Sequence, residues 1–372
     1  MSMSQPKQAY TATDHAMMAR ALRLAEKGAY TTKPNPMVGC VIAVGDEVVG
    51  TGWHERKGGP HAEVFALQAA GERARGATAY VTLEPCAHVG STGPCAEALI
   101  AAGVTRVVGA MRDPFPKVDG AGFDKLRAAG IQVDIGLMEA QARQLNKGFL
   151  SRIERGRPWV RVKLATSLDG RSALASGDSK WISGEAARRD VQKWRARAGA
   201  ILTGAGTVLI DDPHLTVRLG DDTPFVPPLR VVLDPGLATV QRGHVREGGA
   251  PTLYIHASDA RMPRGVEADH VAVPVEGGRM DIAAVLKLLA EREINEVQVE
   301  AGATLAGAFL TAGAVDELLL YVAPVMLGER ARPLFDGLQI DEMTNRLNMH
   351  IAETRRIGDD VRVFVHPGPR PQ

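Results

Sequence analysis

Short runs rich in Val, Ile and Leu alternate with longer stretches of helical period along nearly all of this chain, and that alternation constrains the fold more than any other feature. Such an order buries its apolar faces as helices laid on a sheet, which is the α/β class. The pattern predicts a helix over 14–27, then two strands in MVGCVIAVGDEVVGTGWH meeting at Gly45-Asp46. A helix over 61–74, a strand in TAYVTLEP, a helix from about 95, a strand in TRVVGAM, a helix over 121–129 and a strand in IQVDIG complete one domain, 12–150. The stretch NKGFLSRIERGRP is charged and closes on Gly156 and Pro158, so it reads as the boundary, with the linker at 151–158. WVRVKLATSLDG opens a second α/β series over 159–372, whose later elements include RVVLD, TLYIH, a helix over 281–293, EVQVEAG, DELLLYVAP and DVRVFVH.

Charge and cysteine content narrow the class. Lys and Arg number 44 against 43 Asp and Glu, so no global field recruits nucleic acid or an anionic membrane. The apolar stretches fall short of a bilayer span, and the polar N-terminus MSMSQPKQAY lacks the apolar core of a secretory signal. Three cysteines in 372 residues make no disulfide framework; reduced thiols in a cytoplasm are expected instead. Oligomeric state stays open.

Two of the three cysteines stand close together in TLEPCAHVGSTGPC, and a histidine leads the helical run HAEVFALQAAG. A catalytic zinc takes three protein ligands and keeps its fourth tetrahedral position for water. His61, Cys86 and Cys95 supply such a set, one zinc per chain. Cys95 opens a predicted helix, where the dipole favours the thiolate that binds metal. Zinc lowers the pKa of bound water to about 7. Glu63, two residues beyond His61, reaches that water without ligating and can move its proton to a leaving amine. This is the chemistry of hydrolytic deamination, whose motif is H-x-E followed by P-C-x-x-C. Here eight residues separate the cysteines. Taken singly, each of the three is more often a helix cap or a core thiol; jointly, with Glu63 and Pro85, they read as a zinc site. Cys40, inside VGCVIAV, reads as core.

NPMVG at 35–39, HAE at 61–63 and EPCAHVGSTGPC at 84–95 resemble the bifunctional deaminase/reductases of riboflavin biosynthesis. The resemblance continues through KLATSLDGRSALASGDSKWIS, GAGTVLIDDPHLTVR and VEAGATLAG, and spans roughly 14–365. It implies a cytidine-deaminase-like α/β/α domain followed by a dihydrofolate-reductase-like α/β domain. The implied reactions are hydrolytic deamination of a diaminopyrimidinone carrying a ribosylamine 5′-phosphate, then NADPH-dependent reduction of the ribosyl to the ribityl side chain. Zinc and NADPH are the implied cofactors, and the phosphoribosyl pyrimidine is the partner.

The resemblance also implies site residues. In the first half, Glu63 is the proton shuttle, Asn35 reads the pyrimidine and His88 meets substrate. Many relatives carry Lys or Arg where this chain has Ser91, so the phosphate contact is missing or comes from elsewhere, such as Lys33. In the second half, Ala165, Trp181, Thr207, Asp211 and the run Gly302, Ala303, Thr304, Leu305, Ala306, Gly307 and Ala308 fall to NADPH. Ala303 replaces the proline of many relatives. Ser179, Arg195, Leu215, Arg218 and Glu300 fall to substrate. Physical reasons support part of this: Gly-rich turns at 203–208 and 300–307 let backbone amides approach phosphates, and arginines suit a sugar phosphate. Taken alone, those turns, the charged run around Arg195 and the Asp211-Asp212-Pro213 stretch are ordinary turns and solvated surface, and His214 reads as a loop residue.

Two rivals stay open at this point. One is a deaminase of another base fused to an NADPH-dependent reductase of pterin-like substrates. The other is a non-enzymatic protein with a structural zinc clip, which would ordinarily show a fourth ligand and leave Glu63 idle.

Overall fold

A computed structural model describes residues 10–87, 93–115 and 119–368. The chain divides into two compact units, 1–155 and 156–372.

The first unit runs α1 (Ala12–Glu26), β1 (Gly39–Val44), β2 (Glu47–Trp53), α2 (Ala62–Ala70), β3 (Thr78–Val81), α3 (Cys95–Ala101), β4 (Arg106–Gly109), α4 (Ala121–Ala128), β5 (Gln132–Ile135), α5 (Glu139–Leu145) and α6 (Lys147–Arg155). Its sheet has the order β2-β1-β3-β4-β5. β1 is antiparallel to β2 and β3, whereas β3, β4 and β5 run parallel. On one face α2, α3 and α4 bury Ala62, Ala66, Leu99, Phe123 and Leu126. On the other, α1, α5 and α6 bury Met18, Leu22, Leu145 and Phe149. Each large apolar side chain so buried contributes about 1.5–3 kcal/mol.

Two glycines of β2 decide how closely α2 can lie on the sheet. Gly50 and Gly52 share one face by the two-residue period of a strand. A Cβ there would sit 2.1 Å from the Ala66 carbonyl oxygen and 2.2 Å from that of Ala62. α2 therefore rests on β2 backbone to backbone, and its N-terminal end, which carries His61 and Glu63, is fixed in place.

Two local expectations differ. The helix expected to reach 74 ends at Ala70, because Gly71 takes a left-handed φ of 54° and a 3-10 turn follows. Much of the charged stretch read as the boundary is helix α6, which belongs to the first unit. Its Phe149 and Leu150 are buried while Glu154 and Arg155 face out, an amphipathic pattern that its charge density obscures.

The second unit contains β6 (Trp159–Ser167), β7 (Arg171–Ala173), α7 (Glu185–Arg197), β8 (Ala200–Gly204), α8 (Ala205–Asp211), β9 (Leu229–Leu233), β10 (Thr252–Ala257), β11 (Asp269–Val273), β12 (Val275–Glu276), β13 (Arg279–Met280), α9 (Ile282–Glu291), β14 (Glu296–Val299), α10 (Ala303–Thr311), β15 (Glu317–Ala323), β16 (Arg332–Pro333), β17 (Met349–Ile357) and β18 (Asp360–Pro367). The main sheet is ordered β11-β10-β9-β8-β14-β6-β15-β18-β17. From β11 to β15 its strands are parallel, and the β17–β18 hairpin adds two antiparallel strands at the edge. One face takes α9 and α10 through Val285, Leu289 and Phe309, and the other takes α7 through Ala187 and Val191. Covering both faces explains why β8, β10 and β14 are buried at nearly every residue rather than at alternate ones. In sheets of this kind ligands bind outside the carboxyl ends of the strands. Here β8, β14 and β6 lie side by side, so their three ends form one ledge.

Both units are α/β, as the sequence implies. No described helix is long and apolar enough to cross a membrane.

Candidate active sites

In the first unit the elements deliver three ligand atoms to one point. His61 is the N-cap of α2, with extended backbone and no capping bond from its side chain, so the ring is free to turn toward the cysteines. Cys86 lies in the loop after β3, and Cys95 opens α3 behind Pro94. His61 Nδ1 lies 3.2 Å from Cys95 Sγ and 3.6 Å from Cys86 Sγ. All three donor atoms fall within 4.8 Å of one another, and among the described residues no other His, Cys, Asp or Glu group converges in this way. The Cys95 amide donates to Cys86 Sγ at 3.3 Å.

The electrostatics of this cluster fit a divalent cation. Cys86 accepts from Cys95 and from His61, which brings its thiol down to about 4 despite burial. Cys95 is held well above the ordinary thiol value by its bond to Cys86, by burial and by Glu63. The pair thus favours a thiolate on Cys86, the form that binds zinc. Glu63 is 3% exposed, and burial pushes its carboxyl up to about 7. Its Oε2 has no hydrogen-bond partner among the described residues. An orphaned buried acceptor costs about 1–3 kcal/mol unless a ligand supplies a donor. Two thiols, an imidazole and a waiting carboxylate fit zinc with a reacting water beside it. Cys40 is fully buried in the core, as expected.

Around the cluster stand residues that the sequence reading passed over. Glu84 is buried, and its carboxylate accepts the amides of Asp113, Gly120, Gly122 and Phe123 at 2.9–3.4 Å. This ties the Pro85-Cys86 segment to the loop before α4. Asn146 is buried and brackets Met37, accepting its amide at 2.8 Å and donating to its carbonyl at 2.9 Å. His54 contacts Asn35 and Pro60. All three act largely on backbone groups, which carry no sequence signal. His88 and Ser91 lie outside the described residues.

The second unit gathers its assigned residues along the ledge. Ala165 lies near the end of β6, Thr207 in α8 after β8, and Gly302 at the N-cap of α10 after β14. The two Gly-rich turns meet, since a Cβ on Gly204 would touch Leu305 at 3.4 Å. Open space lies over Gly206 and Gly302, where a bound phosphate finds amides and no side chain. Of the run 302–308, Thr304 faces solvent, whereas Ala306 and Gly307 are buried and Gly307 packs on the Asp336 backbone. Trp181 is 72% exposed with the Arg188 guanidinium over its ring at 4.6 Å. Lys180 Nζ donates to the Asp211 carbonyl at 3.5 Å, and Ser179 is half-buried nearby in sequence.

The charged centre of this unit is already paired. Arg195 grips Glu300 through two bonds of 2.7 Å and donates its third nitrogen to the Thr216 carbonyl at 2.9 Å. Gln298 donates to Glu300 at 2.8 Å. Burial opposes the charged carboxylate, but Arg195 and Lys163 outweigh it and bring Glu300 down to about 2. Lys163, on β6, escaped the sequence reading; burial holds its ammonium below the ordinary value, beside the Arg195–Glu300 pair and 5.9 Å from the Tyr321 ring. Arg218 is exposed, its backbone amide held by Gln192 at 3.0 Å. Leu215 is buried with a φ of 49° and packs into a core cluster. His214 stacks on His244 at 4.4 Å, and His244 pairs with Asp212.

Comparison with known proteins gives matches over both units. Residues 11–111 match the cytidine and deoxycytidylate deaminase zinc-binding region, and residues 158–363 match the RibD C-terminal domain. The riboflavin biosynthesis protein RibD of Escherichia coli is 48% identical over 360 residues, covering 94% of this chain and 98% of that protein. Its namesake in Haemophilus influenzae is 44% identical, with 96% and 98% covered. Among solved structures, Acinetobacter baumannii RibD superposes with a TM-score of 0.87 at 43% identity, covering 96% of this chain and 99% of that one. A Thermotoga maritima diaminohydroxyphosphoribosylaminopyrimidine deaminase/5-amino-6-(5-phosphoribosylamino)uracil reductase reaches 0.85 at 32% identity, with 96% and 99% covered.

Proposed function

Because this chain belongs to the RibD family of riboflavin-biosynthesis proteins, we propose a division of its two reactions among the residues described above. It is a bifunctional enzyme, a zinc-dependent pyrimidine deaminase joined to an NADPH-dependent reductase. The deaminase removes the amino group of 2,5-diamino-6-(5-phosphoribosylamino)pyrimidin-4(3H)-one, and the reductase converts the ribosyl to the ribityl side chain.

In the first reaction His61, Cys86 and Cys95 would hold zinc, which would supply the Lewis acidity that makes a water nucleophilic near neutral pH. Glu63 takes a proton from the attacking water and passes it to the adjacent ring nitrogen as the oxygen adds to the amino-bearing carbon. It then carries the remaining hydroxyl proton to the amino nitrogen, so that ammonia leaves and a carbonyl remains. Asn35 presents its amide to the pyrimidine edge. The observation that carries this reading is the convergence of three ligand atoms within 4.8 Å beside a buried carboxylate oxygen that lacks a partner among the described residues. The test is ammonia release from the phosphoribosyl diaminopyrimidinone, with zinc content measured alongside. Full deamination by rigorously zinc-free protein would sink the assignment.

In the second reaction the turns at Gly204–Thr207 and Gly302–Leu305 take the cofactor phosphates, and NADPH when bound supplies the hydride. Ala165, Trp181 and Asp211 belong to the same cofactor face. All three Arg195 nitrogens are engaged by Glu300 and Thr216, which supports reading it as the group that orients Glu300 toward the sugar. Arg218, exposed on the neighbouring loop, suits the 5′-phosphate, with Ser179 and Leu215 shaping the pocket. The three cysteines form no disulfide, which supports a cytoplasmic location.

A further inference from the structure

We infer that His54 is a positioning residue for deamination: it fixes which way the Asn35 amide faces and so sets the donor–acceptor order offered to the pyrimidine. This rests on the reading that Asn35 meets the substrate.

His54 follows β2 and is 3% exposed. Its Nδ1 lies 3.1 Å from the Pro60 carbonyl oxygen, which can only accept, so Nδ1 carries the hydrogen. In the neutral ring Nε2 is then bare and must face a donor. Asn35 Nδ2 stands 3.0 Å from it and supplies one of its two N–H groups. The amide is thereby oriented, with Oδ1 and the second N–H turned away from His54. Without such a partner a side-chain amide rotates by half a turn and exchanges donor for acceptor.

The backbone leaves that rotation as the main freedom of Asn35. Its own amide donates to Thr32 at 2.9 Å, and Asn146 brackets Met37 from both sides. The His54 amide donates to Val38 at 2.9 Å, so ring and loop move together. The ring edge of His54 also meets His61, with centroids 5.4 Å apart at 88°, and Pro60 is the residue before that ligand. One imidazole thus registers the reading amide to the metal site.

Chemistry gives the orientation a consequence. The substrate edge carries a carbonyl next to a ring N–H. Asn35 Oδ1 accepts from the N–H while its free Nδ2–H donates to the carbonyl. A pyrimidine edge with an amino group beside a bare ring nitrogen presents the opposite order and is refused.

Three substitutions separate positioning from packing. His54→Gln places an amide oxygen near the Nε2 position and can accept from Asn35. His54→Asn mimics Nδ1, keeping the bond to Pro60 and losing Asn35. His54→Phe keeps the ring against His61 and loses both bonds. With the phosphoribosyl diaminopyrimidinone as substrate, His54→Asn and His54→Phe should raise the deaminase KM roughly 10-fold, the scale of one well-placed hydrogen bond, with kcat within about threefold. His54→Gln should restore KM to within about threefold of the parent. Zinc should stay near one per chain throughout. In an Asn35→Ala background, His54→Phe should add less than about twofold, because coupled residues do not contribute independently. A parent-like KM in His54→Phe and His54→Asn, with Asn35→Ala impaired, overturns the inference and leaves the Asn35 reading standing. His54→Gln as poor as His54→Phe also overturns it, since a packing role would not distinguish them by the acceptor. Parent-like kinetics in Asn35→Ala overturns the reading itself. Should His54→Phe not fold, the contrast between Gln and Asn decides.

Discussion

The two sites solve opposite electrostatic problems. In the first unit the contact between the two cysteines brings Cys86 down and holds Cys95 up, and Glu63 buries an oxygen with no partner among the described residues. In the second, Arg195 and Glu300 pair through two bonds and Gln298 donates to the same carboxylate, although Gln298 Oε1 has no partner among the described residues. Two thiols, an imidazole and a buried carboxylate suit a cation and a water. A carboxylate already gripped by an arginine is preorganised, and under the proposed reading it meets substrate at little further cost in ordering. A variant in the first unit should therefore cost chemistry and metal, and one in the second should cost stability together with binding.

Glu63→Gln tests the contrast most severely. It keeps size and ligands but removes the group that moves the proton, so deamination should fall by roughly 10²–10⁴-fold. Zinc content should hold near one per chain. Supplied with deaminated substrate, the variant should oxidise NADPH at close to the parent rate. Collapse of both activities in folded, zinc-loaded protein would mean that the two reactions share one site.

Cys95→Ser comes next. A neutral hydroxyl is a poor ligand, so zinc affinity in a chelator competition should fall by at least the roughly 10–100-fold that losing even an outer partner costs. Unchanged affinity would move the third ligand elsewhere.

Why the first site was legible and the second only partly so follows from where their signals lie. His61, Glu63, Cys86 and Cys95 are chemically distinctive residues in two short stretches, each at a helix start or loop that the apolar pattern already marks. Glu84, Asn146 and His54 work by holding backbone amides, carbonyls and another amide, none of which the sequence displays. The Arg195–Glu300 pair spans 105 residues, and Lys163 joins it from β6, so only the fold brings them together. Among the elements, the charged run of α7 reads in the sequence as a solvated helix face, whereas the helix buries Asp190 and Gln192 along with Ala187, Val191 and Ala196. β17 exposes nearly every residue and shows no alternation, which leaves an edge strand without a pattern to find.

Arg195→Ala and Arg218→Ala sharpen the comparison within the second unit. Removing Arg195 strands the buried Glu300 carboxylate, and breaking a buried pair from one side costs about 3–5 kcal/mol. Urea unfolding followed by tryptophan fluorescence should register it, since Trp159, Trp181 and Trp194 all lie in that unit. Arg218 is exposed, so its loss should leave that transition alone and weaken substrate binding in reduction by about 1.5–3 kcal/mol. Equal stability of the two variants would mean that Glu300 does not depend on Arg195.

Mild acid should take the two sites apart without any substitution. Metal ligands must be deprotonated, and His61 has its pKa raised by the bond to Cys86, so protons begin to compete with zinc near neutral pH. Glu300 behaves differently. Its folded value near 2 lies below the ordinary carboxylate value of about 4.3, so its stabilising contribution is complete above that value and is lost only as pH falls toward 2. Between pH 7 and 5 zinc should therefore leave while the reductase charges stay paired. Protein dialysed at pH 5 with a chelator and returned to pH 7.5 should reduce deaminated substrate at the parent rate. The same sample should deaminate only after zinc is added back. Loss of both activities in parallel, or deamination that survives the chelator, would show that the two sites do not differ in the way their charges imply.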